Sequence, residues 1–274
     1  MPKARAIAFL LTAASLAAPN NSALAETQPC RSMEYERNAY TICEVDLRKH
    51  TVRLYWKRSD GTPYAYLSAL PRSLEGDAGR LLFATNAGMF DPALTPVGLY
   101  VEQGQELVHV NTTSGYGNFH MKPNGIFYIF SHRAAVAETR AFLKQRPQAD
   151  LATQSGPMLV MNGRLHPRFD KRSTSLKARN GVGVRADGKV IFAISQGEVS
   201  FDAFARLFRD GLNFLTEAAP RACTHRRSIA MATSCRLARC WLYSRENRGA
   251  RAHSLQGALD RIWREAEYVN PRPA

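Results

Sequence analysis

The chain has 274 residues, of which 45% are hydrophobic and 22% charged, with 37 Lys and Arg against 23 Asp and Glu and a formal net charge of +14. A chain of this length, with no Pro/Ser/Gly-rich linker, favours one large domain with a substantial core over two small ones. The positive balance favours anionic partners such as phosphorylated glycans or lipid headgroups. Nucleic acid is set aside, because no interleaved basic and aromatic stripe of the single-strand-binding kind is present.

The first residues carry Lys3 and Arg5, then an apolar run from Ala6 to Ala18, then Ala23-Leu24-Ala25, the small-x-small pattern that signal peptidase accepts. Residues 1–25 therefore read as a cleavable signal peptide with Glu26 as the mature N-terminus, and the net charge falls to +12 once Lys3 and Arg5 are removed. The apolar run is 13 residues, short of the roughly 20 that cross a bilayer as a helix. The sequence thus implies a periplasmic or secreted protein with no stable membrane span after cleavage. Cys30 and Cys43 flank a predicted hairpin and are placed to close a disulfide in an oxidising compartment. Cys223, Cys235 and Cys240 lack a C-x-x-C pair and have only His225 nearby, so they do not read as a metal site.

From Tyr40 to Trp56 apolar and polar residues alternate on both sides of Leu47-Arg48-Lys49-His50, which predicts strands over about 40–46 and 51–56. Short runs at Arg80–Thr85, Val97–Val101, Glu106–Val110 and Gly125–Phe130, bounded by Gly or Pro, predict further strands. Pro157–Met161 and Arg164–His166, joined by Asn162-Gly163, predict a tight hairpin; so do Gly181–Arg185 and Val190–Ser195, joined by Asp187-Gly188. Apolar residues at three and four residue spacing predict helices over Ala134–Gln145 and Ser200–Arg209, the second capped by Ser200. The expected fold class is α+β, a single domain dominated by antiparallel β-sheet with a few packed helices.

Polar and glycine clusters fall at the ends of these strands, where loops on a rigid sheet build sites. They are NAGMF (86–90), YGNF (116–119), KPNG (122–125), TQSGP (153–157) and KARNGVG (177–183). TQSGP lacks the first Gly of G-x-S-x-G, so a serine nucleophile is not favoured. His109, His120, His132 and His166 have no metal-ligand spacing. No cofactor or metal is assigned.

The succession NAGMF, PVGLYVE, GNF, KPNG, ATQSGPMLV, NGRLHP, RNGVGV and SFDAFARLFRD, running from about Cys30 to Gly211, resembles the phosphodiester glycosidase family in its exported bacterial branch. The resemblance implies hydrolysis of a sugar joined through its anomeric oxygen to a phosphate diester, with a phosphorylated glycan as the substrate class. Such a leaving group is already stable as an anion, so the main needs are a cation near the phosphate and a carboxylate near the anomeric carbon. The resemblance assigns Arg179 as that catalytic cation. A guanidinium grips phosphate oxygens through two parallel hydrogen bonds, although in isolation Arg179 also reads as a loop arginine beside Lys177. It assigns Asn86, Gly88, Gln154, Ser155, Gly156 and Asn180 to substrate binding, Asn86 being open also to a structural Asx turn. Lys122 and Asn124 are weaker candidates for a second phosphate contact.

The resemblance stops near Gly211. In the family the helix is followed by an apolar strand and an Asp-Gly turn that supplies the leading candidate for the catalytic carboxylate. Here the chain continues as NFLTEAAPRACTHRRSIAMATSC, and residues 212–274 hold eleven Arg and no Lys. This composition is what a shifted reading frame of a GC-rich gene produces, and residues 212–274 read as a divergent tail. Asp91, Asp170 and Asp187 remain as carboxylates without motif support. Loss of an internal strand would expose edge backbone and apolar surface, a deficit larger than a typical net stability of about 5–15 kcal/mol. The expectations are therefore a poorly folding or inactive hydrolase, or a non-catalytic periplasmic module that binds anionic glycans. A third reading has the basic tail dock on anionic lipid.

Overall fold

The computed structural model of the chain describes residues 29–74, 81–214, 229–233 and 240–245. The signal segment, Cys223, Cys235, His225 and most of the tail lie outside the described residues. The fold is α+β and sheet-dominated, as the sequence implies. Fifteen strands and a few short helices are described: β1 Cys30–Tyr35, β2 Asn38–Val45, β3 His50–Tyr55, α1 Leu70–Ser73, β4 Leu81–Asn86, β5 Tyr100–Glu102, β6 Gln105–Val108, β7 Gly125–Phe130, β8 Arg133–Glu138, α2 Thr139–Gln145, β9 Leu151–Ser155, β10 Met158–Met161, β11 Arg164–Leu165, β12 Asn180–Val184, β13 Val190–Ser195, α3 Phe201–Arg206, β14 Ile229–Thr233 and β15 Cys240–Arg245. Among the described residues no helix is long and apolar enough to cross a membrane.

The strands form an antiparallel seven-stranded sheet, β1-β2-β13-β12-β14-β10-β11, a five-stranded sheet, β6-β5-β9-β7-β8, and a three-stranded sheet, β3-β15-β4. Side chains that alternate along each strand divide the core into layers. Val45, Phe83, Phe127, Leu151, Met158, Val182, Phe192 and Met231 pack together between the sheets. The opposite face of the seven-stranded sheet presents Ile42, Leu159, Ile191 and Ala193 to Phe204 and Phe208 of the α3 segment. On the five-stranded sheet, Leu99, Ile126, Tyr128 and Ala152 take Phe142 of α2. Cys30 and Cys43 stand opposite each other in the β1–β2 ladder and form the disulfide that their spacing allows.

The strongest turn signals hold in the structure. Asn162 and Gly163 both adopt positive φ between β10 and β11, the requirement of a type I′ turn. The predicted helix over Ala134–Gln145 is corrected: Arg133–Glu138 is a strand paired along its length with β7, and only Thr139–Gln145 is helical. The connecting turn is Ser131-His132, both at positive φ, a pair without the Asn-Gly or Gly signature. Glu36-Arg37 makes the same turn between β1 and β2, so β1 also carries no turn signal. The second predicted helix starts where expected, Ala203 N–H donating to Ser200 Oγ at 3.1 Å. Beyond Arg206 it widens into a π-turn over Leu207–Gly211.

Beyond Gly211 the structure departs from the expectation of a missing internal strand. The backbone of β14 lies between β12 and β10, with Val182 opposite Met231 and Met158 opposite Met231 on the other side. The backbone of β15 lies between β3 and β4. An interior slot in a sheet offers hydrogen bonds on both edges, and a short run such as Ile229–Thr233, with no Gly or Pro, can take it whatever the composition around it.

Candidate active site

The polar and glycine clusters gather at one end of the sheets. Asn86 ends β4, Ser155 ends β9 opposite Gly125, the first residue of β7, and Asn180 opens β12. The loops between them touch closely. Gly88 has φ +65°, and a Cβ there would lie 2.1 Å from Thr153 Oγ1 and 3.2 Å from the Gln154 carbonyl, so NAGMF runs against the end of β9 at a distance only glycine allows. A Cβ on Gly156 would lie 2.8 Å from the Phe119 carbonyl and 2.9 Å from the Asn118 carbonyl, which brings TQSGP against the YGNF loop.

Asn86 and Asn180 meet across the sheets. Asn180 Nδ2 donates to Asn86 Oδ1, to the Asn86 carbonyl at 3.2 Å and to Thr85 Oγ1 at 3.3 Å. This leaves Asn86 Nδ2, a donor, and Asn180 Oδ1, an acceptor, buried with no hydrogen-bond partner among the described residues. Ser155 Oγ, fully buried at the end of β9, is a third such atom. By strand alternation Ser155 shares the face of Leu151, and Asn180 that of Val182, both of the layer between the sheets. Buried polar groups are satisfied in the great majority of cases, so three orphans on the faces of one rim mark a place where a ligand's hydroxyls can complete the bonding.

Gln154 is placed differently. Its Oε1 accepts from the Leu99 and Asn111 N–H groups at 3.0 and 2.9 Å, and its Nε2 donates to the Asn111 carbonyl at 2.7 Å and to Thr139 Oγ1 at 3.3 Å. It ties the loop at Asn111 and the segment at Leu99 to β9. Asn124 does similar work, donating to the Phe119 carbonyl at 2.8 Å and accepting from Thr139 Oγ1 at 2.9 Å. Lys122 Nζ donates to the Thr112 carbonyl at 2.6 Å.

Arg179 is 5% exposed and precedes Asn180 directly, but alternation sends its side chain to the α3 face. Its Nε donates to the Val199 carbonyl at 2.8 Å and its Nη2 to the Ser175 carbonyl at 3.0 Å. The guanidinium carbon lies 3.5 Å from the centre of the Phe201 ring. Arg179 therefore meets the Asn86–Asn180 pair only around the end of β12. One further group, His166 of the NGRLHP segment, is given no role by the sequence. His166 is 2% exposed, accepts the Arg168 N–H at Nδ1 (3.2 Å), and leaves Nε2 buried without a hydrogen bond. Burial lowers its pKa, opposed by the nearby Lys122 backbone and aided by the charge of Arg168. Asp187 lies apart from the rim, accepting from Arg185 in the β12–β13 turn, and Asp170 accepts the Arg172 N–H. Asp91 closes its own loop on the Thr95 N–H at 2.8 Å. Among the described residues no group of three His, Cys, Asp or Glu side chains has metal-holding geometry.

A model of the phosphodiester glycosidase family matches residues 79–216, half of the chain and every loop of this rim. The chain belongs to the phosphodiester glycosidase family. A curated relative, the protein of Escherichia coli (strain K12) named "Uncharacterized protein YigE", is 37% identical over 175 residues, 64% of this chain and 67% of the relative. Among solved structures, the catalytic domain of zebrafish N-acetylglucosamine-1-phosphodiester alpha-N-acetylglucosaminidase, auto-inhibited by its pro-peptide, aligns with a TM-score of 0.46 at 15% identity. The alignment covers 74% of this chain and 81% of that one. The family match spans NAGMF, KPNG, TQSGP and RNGVGV, the same segments whose orphaned and close-packed atoms define the rim.

Proposed function

We propose that this phosphodiester glycosidase family member is an exported protein whose rim takes a sugar linked through its anomeric oxygen to a phosphate diester. The supporting observation is the buried donor and acceptor left open by the Asn86–Asn180 pair, one residue from the buried guanidinium of Arg179. The ligand lies across the end of β12. Its sugar hydroxyls meet Asn86, Asn180 and Ser155, Gly88 and Gly156 bring their loops close, and its phosphate meets Arg179. Gln154 shapes the pocket through the backbone it holds. In hydrolysis, water attacks the anomeric carbon, the carbon–oxygen bond to phosphate breaks, and the phosphate leaves as a monoester anion. The water proton passes to a base, and Arg179 stabilises the growing phosphate charge.

The hydrogen bonds of Asn86 and Asn180 reach no carboxylate among the described residues. That observation favours a second reading, in which this chain binds the anionic glycan without turning it over, the family's Asp-bearing element having been replaced by a shifted reading frame after Gly211. Incubation with the methyl phosphodiester of N-acetylglucosamine separates the readings. Released reducing sugar, lost in Arg179→Lys, is the result expected of a hydrolase. Saturable binding with no release supports the binding module, and neither binding nor release overturns both. Export is supported by the Cys30–Cys43 disulfide, a bond that persists in oxidising compartments. N-terminal sequencing of protein recovered from the periplasm or medium should begin at Glu26.

A further inference from the structure

Arg179 is the end of a column of flat groups. His166 stacks on Phe169 with ring centres 4.8 Å apart and planes 26° apart. Phe169 stacks on Phe201 at 5.3 Å and 5°. The Arg179 guanidinium then covers the Phe201 ring at 3.5 Å. The column crosses three separate stretches of chain: the loop after β11, the first residue of α3, and the residue before β12. The Arg179 main chain is fixed independently, its N–H donating to Ser195 Oγ at 2.8 Å and its carbonyl accepting from the Ser195 N–H at 2.8 Å. Beyond that anchor the side chain donates to the Val199 and Ser175 carbonyls and lays its guanidinium on the ring. The Val199 carbonyl is shared, since it also accepts the Lys177 N–H at 3.2 Å.

We propose that Phe201 is a positioning residue for Arg179, its ring, backed by Phe169 and His166, setting the plane in which the guanidinium meets an anionic ligand. The proposal rests on the reading of Arg179 as the anion-binding group. An aromatic face attracts a cation through the negative charge of its π-cloud, most strongly where water is excluded, and it does so in one plane. A ring lying 3.5 Å from the guanidinium carbon holds that face before the ligand arrives, so less ordering is left to binding.

The electronic part of this role can be separated from the steric part by placing phenylalanines with one, two, three and five ring fluorines at position 201. Fluorination drains the π-cloud while nearly keeping the shape. Affinity for the methyl phosphodiester of N-acetylglucosamine, measured by calorimetry, should fall stepwise to about tenfold below wild type at five fluorines, with Phe201→Tyr close to wild type. The ring-current-shifted Nε–H resonance of Arg179, assigned by its loss in Arg179→Lys, should move in step. A flat affinity across the series, with Arg179→Lys still weakening binding, overturns the positioning role and leaves the reading of Arg179 intact. Unchanged affinity in Arg179→Lys, or no binding by the wild-type chain, overturns the underlying reading and the proposal with it.

Discussion

The two ends of the sheets are built on opposite accounts of polarity. At the end bearing Asn86, Ser155 and Asn180, buried polar atoms stand open and glycines hold loops in close contact. At the other end, where β2 turns into β3 and β12 into β13, the carboxylates near the turns are paired with cations. Asp46 takes Arg48 Nη2 at 2.6 Å, Asp187 takes Arg185 Nη2 at 2.6 Å, and Glu44 takes Arg185 Nη1 at 3.1 Å and Lys189 Nζ. The same antiparallel strands supply both ends. A buried polar atom without a partner lowers stability, and three of them, on Asn86, Ser155 and Asn180, share the rim where the proposed ligand sits.

The comparison predicts that the first end breaks under small steric changes. Gly156→Ala places a Cβ under 3 Å from two backbone carbonyls that cannot yield; it should cost about 3 kcal/mol, read as a lower urea midpoint. Ser155→Ala sharpens the point in the other direction. Removing the orphan hydroxyl should leave thermal stability equal or higher while weakening sugar-phosphodiester affinity about tenfold, since a hydrogen bond made only to the ligand is lost.

Acid should separate the ends as well. The folded-state pKa of His166 is lowered by burial, so its contribution is complete above the unfolded value of about 6.5 and declines as pH falls below it. His166→Gln should remove that decline between pH 7 and pH 5 in thermal melts. At the opposite end burial raises the pKa of Glu44 and Asp187. The bonds and charges of Lys189 and Arg185 outweigh it, and both carboxyls end below their usual values. Their contribution is present above about pH 4 and lost only below it. The smallest effect belongs to these partly exposed pairs: Lys189→Ala should cost under about 1 kcal/mol, and less at high salt.

The sequence made this end of the molecule legible because its loops are written in residues with special backbone chemistry. The NAGMF, KPNG, TQSGP and KARNGVG clusters marked the strand ends that form the rim, and Asn162-Gly163 marked a tight turn at the other end. The separate uses of Gln154 and Asn180 could not be read, since both are amides at strand ends and only the fold shows that one is fully bonded while the other is half open. Strand β8 was missed for a related reason. Arg133–Glu138 has no alternating polarity, and its turn, Ser131-His132, reaches positive φ without an Asn or Gly. The aromatic column was invisible because its members come from three separate stretches of chain, His166 with Phe169, Phe201, and Arg179, and only the fold stacks them.

The position of β14 bears on the order in which the molecule can be assembled. Strands β10 and β12 are translated early, yet their shared neighbour comes from residues 229–233. A nascent chain that has reached Gly211 already holds α3 and both flanking strands, with an unfilled slot between them. That slot presents two bare backbone edges until some fifty residues after β12 have been made and delivered. The half-built sheet is a docking target for any extended segment in the meantime, and its closure is a late, long-range step of the slow kind.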